Sequence, residues 1–161
     1  MLGAALRRGM TMWEQAVGFG VEIPFVTHLG FVLTAFADGR SEIIYTPQAE
    51  HLNSFNVTHG GALMTLLDVS MATAARSVAP EFGAVTIEMK TSFMQPAVGT
   101  LTARGELMHR TATMAFTQAT VFDAAGKPCA HATGTFKYLK RLATGSRSVN
   151  PLNPPDAVAS D

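Results

Sequence analysis

Between His51 and Arg76 the chain reads HLNSFNVTHGGALMTLLDVSMATAAR, with a single acid, Asp68, among Gly, Ala, Leu, Met, Thr, Ser and Val. From Gly60 to Ala75 the residues are apolar nearly all round at helical period, which predicts a buried helix. An unpaired carboxylate there costs on the order of several kcal/mol. Asp68 is therefore either a paired structural acid or a functional one. Upstream, Asn53 and Asn56 stand in a turn-forming run, Thr58 is a plausible N-cap, and His59-Gly60-Gly61 falls where the first helical turn should begin. Glycine is a poor helix former, so two at a helix start suggest close approach to the backbone. Free N–H groups and the helix dipole at that end suit a developing negative oxygen, as in an oxyanion hole.

The elements that position these residues follow from pattern. A short helix is expected from Thr11 to Phe19, then an irregular lead-in through Ile23-Pro24-Phe25, then an apolar strand from Gly30 to Ala37. Asp38-Gly39 marks a tight hairpin turn. A second strand runs from Arg40 to Thr46, and Pro47 to Thr58 reads as loop. After the helix, closed by Ala79-Pro80, Val85, Ile87, Met89, Thr91 and Phe93 alternate with Thr86, Glu88, Lys90 and Ser92 at strand period. Further strands are expected over Thr100 to His109, Thr111 to Phe122 and Pro128 to Tyr138. Two strands, one helix and four strands give an α+β fold with mainly antiparallel pairing. The domain divides as a lead-in over 1–28, a folded unit over 29–141 and a flexible tail over 142–161.

The whole chain excludes several function classes. At 161 residues, 47% hydrophobic and 15% charged, it fits one globular domain. Twelve Lys plus Arg balance twelve Asp plus Glu, so no global field favours nucleic acid or an anionic membrane. The lone Cys129 forms no internal disulfide and gives no metal signature. Arg7-Arg8 is followed by Trp13-Glu14-Gln15, which interrupts any signal-like apolar run, and a cytoplasmic protein is expected.

Asn53, His59-Gly60-Gly61, Leu67-Asp68, Val85-Thr86-Ile87-Glu88-Met89, Phe93 and Pro96 together resemble the hotdog-fold acyl-CoA thioesterases. The branch is that of the phenylacetate-pathway and 4-hydroxybenzoyl-CoA enzymes, and the resemblance runs from about Leu29 to Tyr138. It implies a curved antiparallel sheet of about six strands around one long helix, and hydrolysis of a small aromatic or medium-chain acyl-CoA. By the resemblance, the Gly60 N–H polarises the thioester carbonyl, Asn53 holds the water or the carbonyl region, Asp68 is nucleophile or base, and Thr86 helps place the water. His59, Gly61, Phe93 and Arg110 are the substrate-binding candidates. No metal and no cofactor is implied, coenzyme A being part of the substrate. Two positions depart from the family pattern. Asn56 replaces a glycine, a change a left-handed backbone tolerates, and Thr111 stands where relatives often have glycine.

Each assignment has a plainer reading. Asn53 can simply shape its turn, His59 can be a structural hydrogen-bonder, and Thr86 a β-branched strand residue. His51 reads as a solvated loop histidine. Lys90, Arg104, Arg110, Lys137, Lys140 and Arg141 are candidates for the coenzyme A phosphates, with Arg110 singled out. A hotdog hydroxyacyl dehydratase would need a histidine facing an acid, and the helix carries none. A non-catalytic acyl-CoA sensor is the rival from a different class.

Geometry adds a constraint. Gly60 and Asp68 are eight positions apart, about 12 Å along a helix axis, whereas a reacting carbon must lie within roughly 3 Å of both donor and attacking group. One helix cannot supply both to one substrate. Two helices antiparallel across a twofold can, which predicts a homodimer with two shared sites; family members often pair such dimers again.

Overall fold

The computed structural model describes residues 16–140. The expected helix from Thr11 falls partly outside them, and Ala16–Phe19, which are inside, are not helical. The expected tail over 142–161 also lies outside. Among the described residues the first helix is α1, Pro24–Leu29, in the stretch read as irregular lead-in. Its signals are Pro24 in the first turn and Gly30 at φ 74° after the last, where the Gly30 N–H returns to the Thr27 carbonyl.

The remaining elements are β1 (Val32–Ala37), β2 (Arg40–Tyr45), a 3-10 turn (Ala49–His51), α2 (Gly60–Arg76), β3 (Phe82–Phe93), β4 (Leu101–Arg110), β5 (Met114–Phe122) and β6 (Pro128–Lys140). Asp38 and Gly39 both take positive φ, 53° and 76°, as a two-residue hairpin turn demands. β5 begins at Met114 rather than Thr111, because Thr111 shapes the β4–β5 turn by accepting the Met114 N–H at Oγ1, 3.0 Å.

All six strands form one antiparallel sheet in the order β1-β2-β4-β5-β6-β3, packed against α2. Leu63, Leu66, Leu67, Met71 and Ala75 of α2 join Ile43, Tyr45, Ala103, Ala119, Val121 and Phe136 of the sheet in the core. α2 is not buried all round, as its composition suggested. Gly61, Met64, Thr65, Asp68 and Ala72 share a face that the single chain leaves partly open.

Close approach fixes the helix on the sheet. Ser41 Oγ donates to the Ser70 carbonyl at 2.7 Å, and Gly105 of β4 lies so near both that a Cβ there would overlap the Ser70 carbonyl and Ser41 Oγ. The Ser70 carbonyl is helix backbone and cannot step aside. Gly105→Ala is therefore expected to destabilise the fold by about 3 kcal/mol, the upper range for overpacking. The check is a lower urea midpoint at unchanged slope.

β3 holds a departure from simple alternation. Its register with β6 shifts between Thr86 and Glu88, so Thr86 pairs with Phe136 and Glu88 with Thr135. The bulge at Ile87 reverses the parity of the strand. Thr86, which alternation put on the face opposite Met89 and Phe93, is thereby turned toward α2.

Candidate active site

The turn before α2 is a small hairpin. The His59 N–H donates to the His51 carbonyl at 2.9 Å, Leu52 bridges Thr58, and the Asn53 N–H donates to Val57 O at 2.9 Å. Asn53 Oδ1 accepts the N–H groups of Phe55 (2.9 Å) and Val57 (3.3 Å), and Asn56 takes φ 57°. Asparagine thus supplies the left-handed residue in place of glycine. Asn53 shapes the turn with its oxygen, which leaves its amide N–H groups as the end that can meet a substrate.

The helix is capped by His59, not Thr58. His59 Nδ1 accepts the Gly61 N–H at 2.9 Å, while Thr58 Oγ1 is buried without a protein partner. Imidazole nitrogen does here what a hydroxyl oxygen commonly does. Gly61 is therefore not a donor to substrate, since its N–H is committed. The Gly60 N–H, one residue earlier, has no acceptor within the helix. It opens on a recess lined by Asn53, Val57, Leu63, Phe93 and Met94. The Phe93 ring lies 3.4 Å from where a Gly60 Cβ would stand, so a Cβ there would just touch the ring and only a longer side chain would displace it.

Asp68 and Thr86 are brought together: Thr86 Oγ1 donates to Asp68 Oδ1 at 2.6 Å. Burial raises the Asp68 carboxyl above the usual carboxylate range, and the Thr86 hydrogen bond pulls it partly back. A carboxylate so placed is a stronger base than a solvated one, held in orientation by a hydroxyl. Thr86→Val removes that hydrogen bond, so the Asp68 pKa is expected to rise further. Because the ionised form is the base, the acid limb of the kcat/KM profile should move to higher pH, with kcat lower by about tenfold. A pH–rate comparison of the two proteins measures both.

Other candidates lie elsewhere. Arg110 donates from Nη1 to the Val78 carbonyl at 3.1 Å and sits 5.7 Å over the Tyr138 ring, beyond the far end of α2 from Gly60. Arg104 pairs with Glu42 at 3.0 Å. Arg141 lies outside the described residues. His51 is buried, at 7% exposure, rather than solvated. Its ring lies 5.8 Å from Tyr45 and 6.3 Å from His28, contacts set by residues distant in sequence. Among the described residues no group of three or more His, Cys, Asp and Glu could hold a metal, and no helix is long and apolar enough to cross a membrane.

Within one chain, Gly60 and Asp68 remain two turns apart along α2. The carboxylate with its hydroxyl and the backbone donor therefore stand apart, too far for one small reacting group to meet both within a single chain.

Comparison with known proteins places this arrangement. The thioesterase superfamily profile matches residues 55–130, from the turn before Gly60 into β6. A Saccharolobus solfataricus protein named as an esterase is 29% identical over 103 residues, 63% of this chain and 74% of that protein. A conserved protein of Pseudomonas aeruginosa superposes at a TM-score of 0.71 and 27% identity, covering 74% of this chain and 97% of that one. The phenylacetic acid degradation protein PaaI of Thermus thermophilus, solved as a single-substitution variant, gives 0.66 at 27% identity, over 73% of this chain and 100% of that one. A six-stranded antiparallel sheet packed on one long helix matches the fold of these neighbours, and with the profile match it supports a place for this chain among the hotdog-fold thioesterases, hydrolases of thioester bonds.

Proposed function

We propose that the protein is an acyl-CoA thioesterase that releases a small aromatic or medium-chain acid from coenzyme A, at sites each built from two protomers. In each site the Gly60 N–H of one protomer receives the thioester oxygen, and Asp68 of the partner subunit, held by its own Thr86, attacks the carbonyl carbon or activates water. The observation that carries this reading is the 2.6 Å Thr86–Asp68 hydrogen bond on the partly open face of α2, eight residues from the donor its chemistry requires.

The surface supports the pairing. β3 is an edge strand of 12 residues, and Val85, Ile87 and Phe93 on it are exposed. A long apolar edge is a template for another strand. A second β3 docked antiparallel about a twofold would extend the sheet, bring the open faces of the two α2 helices together, and set the Gly60 end of one beside the Asp68 of the other. Asn53 and Phe93, beside the donor, would contact the thioester and the acyl group.

Either chemical route balances. In the direct route, Asp68 takes a proton from water, the hydroxide oxygen adds to the carbonyl carbon, and the collapsing intermediate expels the coenzyme A thiolate, which is protonated. In the covalent route, Asp68 forms an acyl anhydride with loss of thiolate, and water then hydrolyses it. A thiolate leaves readily, so neither needs a strong general acid.

The test is thiol release from a panel of aryl-acetyl, hydroxybenzoyl and medium-chain acyl-CoAs. Turnover of at least one class at kcat near 1 s⁻¹ or above, in the ordinary enzyme range, supports the reading. Binding without turnover across the panel would point to an acyl-CoA sensor.

A further inference from the structure

We propose that His51 is a positioning residue for the oxyanion turn: through Nδ1 its buried imidazole anchors the strand segment from which the Gly60 N–H is hung. This rests on thioester hydrolysis with Gly60 as donor, and it concerns a residue that touches no substrate.

His51 ends the 3-10 turn that leads into the active-site hairpin. Its ring accepts the Gln48 N–H at Nδ1, 3.0 Å, while its own N–H returns to Gln48 in a reciprocal cap. The His51 carbonyl in turn accepts the His59 N–H at 2.9 Å. A rigid path therefore runs from the imidazole to the backbone of His51, across one hydrogen bond to His59, and by one peptide to the Gly60 N–H. The other backbone ties from outside the hairpin are the Thr58 N–H to Ala97 O, 2.9 Å, and the longer Leu52 N–H to Ala49 O, 3.3 Å, from the same 3-10 turn that His51 ends. The hairpin's tip offers no restraint, since Ser54, Phe55 and Asn56 are exposed, Phe55 at 84%.

A purely packing role would be met by an aromatic hydrocarbon. Because Nδ1 accepts, the neutral ring carries its proton on Nε2, and that atom is buried with no protein partner. The Tyr45 hydroxyl, whose residue is 0% exposed, and Thr58 Oγ1 are buried and unpartnered beside the same turn. Burial, with the charge of Glu50, pushes the Tyr45 hydroxyl up to about 12, so it stays a neutral O–H. Each unpartnered group carries a desolvation cost that phenylalanine at position 51 would avoid. Phenylalanine would, however, lose the Nδ1 acceptor. The feature that sets imidazole apart from a hydrocarbon ring here is the anchor on Gln48.

Three substitutions separate the anchor from the packing. Asparagine carries a carbonyl oxygen close to the place of Nδ1, phenylalanine keeps the ring without an acceptor, and glutamine sets its amide one bond too far out. His51→Phe is expected to lower kcat by about ten- to a hundredfold, the scale of a misplacement near 1 Å, with KM changed by less than about threefold. His51→Asn should stay within about fivefold of wild-type kcat, and His51→Gln should fall with the phenylalanine variant. Should His51→Phe fail to fold, the Asn–Gln contrast decides. Amide hydrogen exchange at His59 gives a readout independent of turnover: faster than wild type in His51→Gln, and near wild type in His51→Asn. Wild-type kcat in the Phe and Gln variants, or an Asn variant no better than Gln, would overturn the proposal. If the wild type shows no thioester hydrolysis, the functional reading fails instead, and the exchange pattern still decides whether His51 anchors the turn.

Discussion

Replacing Asp68 with asparagine is expected to lower kcat by about a thousandfold, within the range of a lost general base, while leaving the fold as stable as before or more so. The substitution keeps the shape and keeps an oxygen to accept the Thr86 hydroxyl, now 2.6 Å from Oδ1. What it removes is the charge. Burial raises the Asp68 pKa above its unfolded value, so the folded protein binds this proton more tightly than the unfolded chain does. The stability linked to that proton is present below the unfolded carboxylate pKa and is lost as pH rises through the raised folded value. At neutral pH the ionised Asp68 is thus a cost to folding that asparagine relieves, a usual exchange of stability for activity. Thermal midpoints should be equal or higher for the variant at neutral pH, with the gap closing in acid. A paired structural acid would behave oppositely: the variant would be less stable at neutral pH and activity would be largely retained.

Gly60→Pro is the second large effect, and it isolates the donor. Proline is well accepted in the first turn of a helix, where its missing N–H would have no helical partner. His59 before it is already extended, φ −59° and ψ 138°, as a residue preceding proline must be. The Gly61 cap on His59 and the His59 bond to His51 do not use the Gly60 N–H. The added ring atoms must be accommodated by the exposed Phe93 side chain. Loss of one oxyanion donor costs about a hundred- to a thousandfold in kcat. Steady-state kinetics should show that loss with far-UV circular dichroism unchanged. An N–H that merely ends a helix would give activity near wild type.

Much of this was legible in the sequence, and what was not has identifiable causes. Asp38-Gly39, Gly60, Asp68 and Asn56 announce themselves because local backbone demands or isolation in an apolar run decide their places. The N-cap could have been read correctly only by admitting imidazole as an acceptor, since the pattern offered Thr58 first. α1 was also readable, from Pro24 and Gly30, but six residues are too few for periodicity to show. The bulge at Ile87 was out of reach, because strand parity is set by the register with β6, more than forty residues on. Its consequence is large, for it turns Thr86 toward Asp68. The burial of His51 depends on Tyr45 and His28, and the diversion of Arg110 depends on Val78, contacts that only the folded chain creates.

The shared site makes the subunit the unit of complementation. A Gly60→Pro protomer retains Asp68, and an Asp68→Asn protomer retains the Gly60 N–H. Each is nearly inactive alone. In a heterodimer one of the two sites receives both intact halves, and the other receives neither. After equal amounts of the two variants exchange subunits freely, half the dimers are mixed, so the mixture should recover about a quarter of wild-type activity. The decisive measurement is thiol release from that mixture, with exchange verified by native mass spectrometry. Recovery near a quarter is the expected result; activity no greater than the sum of the two variants alone, despite complete exchange, would contradict a site built from Gly60 of one protomer and Asp68 of its partner.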